Sequence, residues 1–398
     1  YEIPKRDWSS DVCSSDLWTA FHVDAMRPTS GARGSNLLAR MNTNIKKRLG
    51  RLLETKSEKL KLGVDVHARD VMVAIQEEDA RPLRPQKMLR EQLLALVRGL
   101  VVAGRKVCVC YETGPCGYGL HYALLGAGAE SYVIVAETLT NGRQQKTDGL
   151  DAAALCDKLD RYLRGNVKAM TPVRVPSEEE QRRRSECRLR EQLKQSRHQW
   201  EARGRSLLLF YDHHVTGQWW RGQRWKDLPI TVSPWLLEQL TQIRATLVQL
   251  DEQEKTLRQK LEAEAPALPK AIGALTWMLL LREICDWRRF RNRRPVSSFS
   301  GLCPSVWQTG GRKRDGSINR HGNPRVRALL IELVWRLVRW QPDYPPVRTL
   351  VAGVARGAAR RKAAVAATRK LAVDLWRLAT QQTTPEKLHL IVPAPALG

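Results

Sequence analysis

Four carboxylates occupy strand and helix-start positions from which they could converge at one sheet edge. Asp65 lies inside an apolar run, between Val64 and Val66. Glu112 closes a second apolar run, and Asp148 and Asp151 open a later amphipathic stretch. Asp148 and Asp151 are spaced i, i+3 and so share one helix face. Taken singly, each acid has an ordinary explanation. Asp148 suits a helix N-cap, Asp151 a first-turn acid favoured by the helix dipole, and Glu112 a turn. Asp65 is harder to dismiss, because strands seldom place an acid among valines. If the four converge, their mutual repulsion favours either partial protonation or a bound cation. Oxygen donors of this kind suit Mg²⁺, with Mn²⁺ as the alternative. Two such ions can activate a nucleophile and stabilise the leaving oxygen of a phosphodiester.

The elements expected to carry these acids form an alternating pattern. Leu62–His67 reads as a strand and Val71–Ile75 as its hairpin partner. Met88–Val102 has helical periodicity and ends at Gly104. Lys106–Glu112 and Ser131–Ala136 read as strands, with a helix through about Leu125 between them. Asp148–Leu163 reads as a helix and Val167–Val173 as a last strand. Strands alternating with helices predict a layered α/β domain. Cys108 and Cys110 alternate with valines, and Cys-x-Cys lacks the second pair a zinc site needs, so they are read as core.

Gly63-Val64-Asp65-Val66-His67, Glu112-Thr113-Gly114 and Lys146-Thr147-Asp148-Gly149-Leu150-Asp151-Ala152 together resemble the DEDD-type transposases of the IS110/IS1111 insertion-sequence family. The resemblance implies an RNase H-like, RuvC-type fold for about residues 60–175. It maps the family's acidic quartet onto Asp65, Glu112, Asp148 and Asp151, as catalytic residues and metal ligands. A C-terminal run resembles the transposase domain of the same family: Gln308-Thr309-Gly310-Gly311-Arg312-Lys313-Arg314, then Gly316 to Arg327. Similarity to that domain implies a hydroxyl that attacks DNA and forms a covalent intermediate. The family's usual Ser-Gly stands here as Thr309-Gly310, so Thr309 is the expected nucleophile, with Ser305 and Ser317 as fallbacks. A threonine hydroxyl serves the same chemistry, though its methyl group restricts rotamers and approach. Unactivated, such a hydroxyl is a weak nucleophile, so it is expected to work with the quartet and its metal ions. The resemblance further implies a structured noncoding guide RNA and assembly as a homo-oligomer, dimer or tetramer.

The chain's charge agrees with a polyanionic partner. Its 398 residues hold 67 Lys+Arg against 41 Asp+Glu, a formal +26. Residues 281–398 carry 23 Lys+Arg against 7 Asp+Glu, so the excess is concentrated in the last third. Arg312, Lys313, Arg314, Arg320, Arg325 and Arg327 are the candidate phosphate contacts, and the neighbouring glycines free the backbone for close approach. No apolar run reaches the ~20 residues of a membrane span. A bacterial, cytoplasmic, nucleoid-associated protein is expected.

Between these ends lies a spacer. Ser177–Tyr211 reads as a helix with a Ser177/Glu180 capping box. Leu236, Leu240, Ile243, Leu247, Leu250, Leu257 and Leu261 take a and d positions, broken by Glu254. That stripe fits either a coiled coil between chains or a long hairpin within one. The segment from His213 to Lys226 interleaves Trp with Arg, suiting either base stacking or a packed loop. A helix is expected over Arg325–Trp340, and further helices over Ala352–Leu378.

The expected organisation is thus a leader at 1–40, a RuvC-like domain at 41–175, a coiled-coil spacer at 176–265, a mainly α C-terminal transposase domain at 266–382 and a tail at 383–398. The leader contains the near repeat Ser9–Val12/Ser14–Leu17 and reads as foreign or disordered, with Met41 as the native start. The expected function is a DNA transposase and recombinase. The competing readings are a junction-resolving nuclease that acts by hydrolysis, and a decayed nucleic-acid-binding copy.

Overall fold

The computed structural model describes residues 43–55, 57–135, 148–309, 312–353 and 356–393. The leader at 1–40, the Met41 start, Ala136, Lys146-Thr147 and Gly310-Gly311 lie outside the described residues. The chain divides into two compact units, one through Val175 and the other from Pro176.

The first unit is a five-stranded mixed sheet between helices. Its elements are α1 (Thr43–Glu54), β1 (Lys59–Val66), β2 (Asp70–Glu77), β3 (Gln86–Leu89), α2 (Arg90–Val102), β4 (Lys106–Glu112), α3 (Gly119–Gly126), β5 (Glu130–Ile134) and α4 (Asp148–Leu163). The strand order is β3-β2-β1-β4-β5. β1–β2 and β2–β3 are antiparallel, whereas β1–β4 and β4–β5 are parallel. Alternation along the strands sorts residues between the two faces. Leu60, Leu62, Val64, Val107, Val109 and Tyr111 join the core shared with α1, α2 and α3. Lys61, Gly63 and Asp65, and Cys108 and Cys110, belong to the opposite set, which α4 covers. Burial there pushes the Cys108 thiol up to about 11 and the Cys110 thiol up to about 12, so both remain protonated core groups.

Two expected elements differ. Met88 and Leu89 belong to β3, not to the following helix, because their backbone continues the ladder to Val71 and Asp70. Val167–Val173 is not a strand: a bridge between Ile134 and Pro172, a hydrogen bond from Val173 N to Val133 O and the packing of Met170 with Ile134 tie it to β5.

The second unit is mostly helical: α5 (Glu178–Phe210), α6 (Gly222–Thr231), α7 (Pro234–Ala263), α8 (Ala274–Ile284), α9 (Arg293–Phe299), β6 (Pro304–Thr309), β7 (Arg312–Ile318), α10 (Pro324–Trp340), α11 (Arg348–Val351) and α12 (Gly357–Ala379). Ser177 caps α5 in the expected box: its Oγ accepts from Glu180 N, and Glu180 Oε2 accepts from Ser177 N. α5 and α7 pack as an intrachain hairpin. Leu236, Leu240, Ile243, Leu247 and Leu261 are buried in this packing. Glu254, the polar break in the stripe, meets Arg190 at 2.9 Å and Arg197 at 3.3 Å on α5. Most of the stripe is therefore covered within the chain, while Leu250 and Leu257 are half-buried.

Trp219 and Trp220 are buried, so they are core rather than base-stacking groups. Trp219 lies against Gly204 of α5, where an added Cβ would sit 2.0 Å from Cζ2. Its Nε1 donates to Glu201 O at 3.0 Å.

A second core joins α8, α9, α10 and α12. At its margin Glu283, only 3% exposed, accepts from Arg188 Nε at 3.1 Å and Asn323 Nδ2 at 2.9 Å, and pairs with Arg184 at 3.4 Å. Burial opposes this charge, but these donors hold the carboxyl below the usual glutamate range. Among the described residues, no helix is long and apolar enough to cross a membrane.

Candidate active site

The first unit aligns its acids through one strand and one helix. On β1, Lys61, Gly63 and Asp65 alternate onto the α4 side. α4 meets them in reverse order. Lys61, itself buried, pairs with Asp160 near the end of α4. Asp160 also accepts from Arg164 Nε at 3.0 Å. Burial works against that carboxylate, yet Lys61 and Arg164 outweigh it and hold its pKa down. Gly63 admits the middle of the helix: an added Cβ would stand 2.2 Å from Ala152 O and 2.3 Å from Cys156 N. This close approach is what brings the first turn of α4, with Asp148 and Asp151, toward the end of β1.

There Asp65, His67 and Asp148 each offer one donor atom, all within 4.8 Å of one another. His67 Nε2 is 3.3 Å from Asp65 Oδ2 and 3.2 Å from Asp148 Oδ2. That atom is buried and makes no hydrogen bond, although both carboxylates are in electrostatic range. Two carboxylates around one imidazole nitrogen form a donor set suited to a divalent cation. The backbone of His67 is fixed independently. Its N–H donates to Asp70 O at 3.0 Å, and its carbonyl accepts from Arg90 Nη2 at 2.7 Å.

Glu112 ends β4, one residue beyond the last registered β1–β4 pair, Val64 with Tyr111. By alternation it shares the α4 side with Cys108 and Cys110. Asp151 is half-buried in the first turn of α4. Neither belongs to the 4.8 Å group. Thus Asp65 and Asp148 come together directly, Glu112 ends the strand next to β1, Asp151 lies in the same helix turn as Asp148, and His67 is the donor the acidic pattern alone did not single out. Its i, i+2 relation to Asp65 is the sequence signal for it.

The C-terminal candidates lie on and after an antiparallel hairpin. Thr309 pairs with Arg312, Gln308 with Lys313 and Trp307 with Arg314. The side chains of Thr309, Arg312, Lys313 and Arg314 lie outside the described residues. Ser305 Oγ donates to Ser317 O at 2.9 Å across the strands, and Ser317 is exposed. Arg320 is exposed and has a left-handed backbone, φ 59°. Arg327 Nη1 donates to Ser300 O at 3.2 Å and Arg320 O at 3.3 Å, so this guanidinium braces the loop. Arg325 Nε is 2.6 Å from Glu191 on α5. Asn323 caps α10 by accepting from Arg325 N and Val326 N. Of the three basic candidates whose side chains are described, Arg320, Arg325 and Arg327, the last two are engaged within the protein.

Comparison with known proteins agrees in both halves. A family model for DEDD proteins of the IS110 type, described as Transposase, matches residues 62–212. Another, described as Transposase IS116/IS110/IS902 family, matches residues 269–347. Two Sinorhizobium fredii (strain NBRC 101917 / NGR234) proteins named as transposases are similar to the chain. One is 29% identical over 263 residues, 59% of this chain and 66% of the relative. The other is 30% identical over 254 residues, 60% of each. The matched stretches thus span less than two thirds of those relatives' length. The transposase for insertion sequence element IS1111A of Coxiella burnetii (strain RSA 493 / Nine Mile phase I) is 25% identical over 346 residues, 81% of this chain and 90% of that protein.

Proposed function

The chain belongs to the IS116/IS110/IS902 family of transposases, and from that premise we propose that it excises and inserts an insertion sequence by cutting and rejoining DNA strands. The observation that carries the proposal is the convergence of Asp65 and Asp148 around His67 Nε2 at the end of β1. The strand order, with helices on both faces, supports reading the first unit as an RNase H-like, RuvC-type domain. Asp65, Glu112, Asp148 and Asp151 hold Mg²⁺, or Mn²⁺ in its place. A divalent ion held there supplies a Lewis acid for the charge of a reacting phosphodiester.

Thr309 supplies the attacking hydroxyl. Its oxygen bonds to the scissile phosphorus as one phosphorus–deoxyribose oxygen bond breaks. The threonine gives up its proton, and the departing deoxyribose oxygen takes one up. Attack by a second DNA hydroxyl on the covalent phosphodiester reverses these events and rejoins the strand. Arg312, Lys313, Arg314 and Arg320 contact phosphates. Arg325 does so by exchanging Glu191, and Arg327 contributes chiefly by bracing the Arg320 loop. A structured guide RNA from the element and assembly of a homo-oligomer complete the proposal, acting on DNA of the bacterial nucleoid. The formal charge of +26 supports both nucleic-acid partners.

The test is expression of the chain with its flanking noncoding DNA, followed by sequencing of excised-circle junctions. Asp148→Ala and Thr309→Ala are each expected to lower junctions at least about a hundredfold, the scale of losing one group that stabilises the transition state. Thr309→Ser should retain them. If Thr309→Ala still forms junctions, the nucleophile is another hydroxyl, Ser305 or Ser317. Strand cleavage that survives in Thr309→Ala without junctions would instead indicate a hydrolytic nuclease.

A further inference from the structure

We propose that His67 is itself a metal ligand, and that its nitrogen shifts the site's preference from Mg²⁺ toward Mn²⁺. This inference rests on the reading of Asp65 and Asp148 as metal ligands. It goes beyond the quartet by adding a donor of different chemistry.

Three observations converge on it. First, His67 Nε2 lies 3.3 Å and 3.2 Å from single oxygens of Asp65 and Asp148. Neighbouring donors around an octahedral ion at about 2.1 Å stand about 3.0 Å apart, so the spacing is already close to that of ligands sharing one ion. Second, the same nitrogen is buried yet makes no hydrogen bond. The atom is shielded although the His67 side chain as a whole is 41% exposed, and its lone pair faces the two carboxylates without a hydrogen bond to either. A cation between the three donors gives that lone pair a partner and screens the two carboxylates from each other. Third, the ring is not placed there by chance rotation of a loose loop. Asp70 O receives the His67 N–H at 3.0 Å, and the His67 carbonyl takes Arg90 Nη2 at 2.7 Å and Cys116 Sγ at 3.4 Å. The hairpin and two further segments hold the residue that presents the ring.

The ligand type decides the metal. Mg²⁺ favours an all-oxygen shell that includes several waters, whereas imidazole nitrogen suits transition ions. A site of oxygens alone would treat the two ions more evenly. Two carboxylates with one imidazole gain more from Mn²⁺. Loss of the ring should therefore weaken Mn²⁺ binding and leave Mg²⁺ binding nearly unchanged.

The test uses the full chain without an affinity tag, loaded with Mn²⁺ alone or Mg²⁺ alone. Pulsed electron paramagnetic resonance of the Mn²⁺ protein should show coupling to a histidine nitrogen, which changes on ¹⁵N-histidine labelling and vanishes in His67→Ala. Calorimetric titration should show Mn²⁺ affinity about tenfold weaker or more in His67→Ala and His67→Gln. Mg²⁺ affinity should change less than about twofold, in keeping with its preference for oxygen. Asp65→Asn should lose both ions. If the wild-type spectrum shows no nitrogen coupling and His67→Ala titrates like wild type while Asp65→Asn fails, the ligand role of His67 is overturned and the acidic site stands. If Asp65→Asn binds Mn²⁺ as wild type does, the acidic site itself falls with it. Should His67→Ala fail to fold by circular dichroism, the spectrum of the labelled wild-type protein still decides.

Discussion

At Gly63 a missing side chain does the work of placing two others. Helix α4 passes so close that any Cβ would collide with its backbone, not with a side chain that could swing aside. Gly63→Ala is therefore expected to destabilise the first unit by about 1–3 kcal/mol, the range for overpacking a filled core. It should also weaken metal binding by moving Asp148. Urea denaturation and Mn²⁺ titration of the variant check both effects. Gly50→Ala is the control, because nothing lies within 4 Å of its added Cβ and alanine suits a helix. Equal behaviour of the two variants would sink the close-approach account. The acids were legible in the sequence because an aspartate among valines conflicts with strand chemistry, and i, i+3 spacing fixes a helix face. His67 was not, because a lone histidine beside a turn has many uses. Only the approach of Asp148, distant in sequence, shows what it faces.

Among the elements, the α5–α7 hairpin shows how one pattern serves two architectures. A heptad stripe reports that a helix needs an apolar partner, not where the partner comes from. What decides it is the complement on α5: Arg190 and Arg197 meet Glu254, and Gly204 opens a slot for Trp219. Trp219→Ala empties that slot and removes the hydrogen bond to Glu201 O. It should cost about 3–5 kcal/mol, the usual loss for a large buried aromatic, read as a lower urea midpoint. A loss under about 1 kcal/mol would mean that the tryptophan does not clamp the hairpin. Strands and helices with clear periods were readable, including α4 over its whole length. The β3 strand was hidden, since Met88 and Leu89 fit the helical spacing that follows and only pairing with β2 claims them. The β6–β7 hairpin had a local signal in Gly310-Gly311, but β6 is short and mixes Val306 and Trp307 with polar residues, and β7 is charged, so neither shows an apolar alternation.

For the whole molecule, the charge makes a quantitative demand. Binding to duplex DNA or RNA should fall steeply with salt, with a slope of about −0.9 per phosphate neutralised on B-DNA. Replacing Arg312, Lys313 and Arg314 by Ala should reduce the slope by about 1 for each phosphate that is no longer neutralised. Measurements of affinity between 50 and 200 mM salt, about the range over which such ion pairs show, check this. An unchanged slope would remove these residues from the phosphate-binding set. Neither charge nor pattern could reveal that Arg325 and Arg327 already have partners, because Glu191 and the Ser300 carbonyl are far from them in sequence.

Glu283 carries a consequence of another sort. One carboxylate joins α5, α8 and the cap of α10, segments brought together from positions 184–188, 283 and 323. Its pKa is depressed in the fold, so its stabilisation is complete above the unfolded glutamate value and is lost as pH falls through the lowered folded value. Acid should thus loosen this unit from the inside. In Glu283→Gln the melting temperature should already be lower at pH 7, and the gap from wild type should close as both are acidified. Amide exchange at Arg325 and Val326, whose N–H groups Asn323 caps, should quicken with it beyond the intrinsic pH trend. A gap that stays constant into acid would show that the junction does not depend on the charge. A gap that closes makes a single proton the latch on three distant stretches of chain.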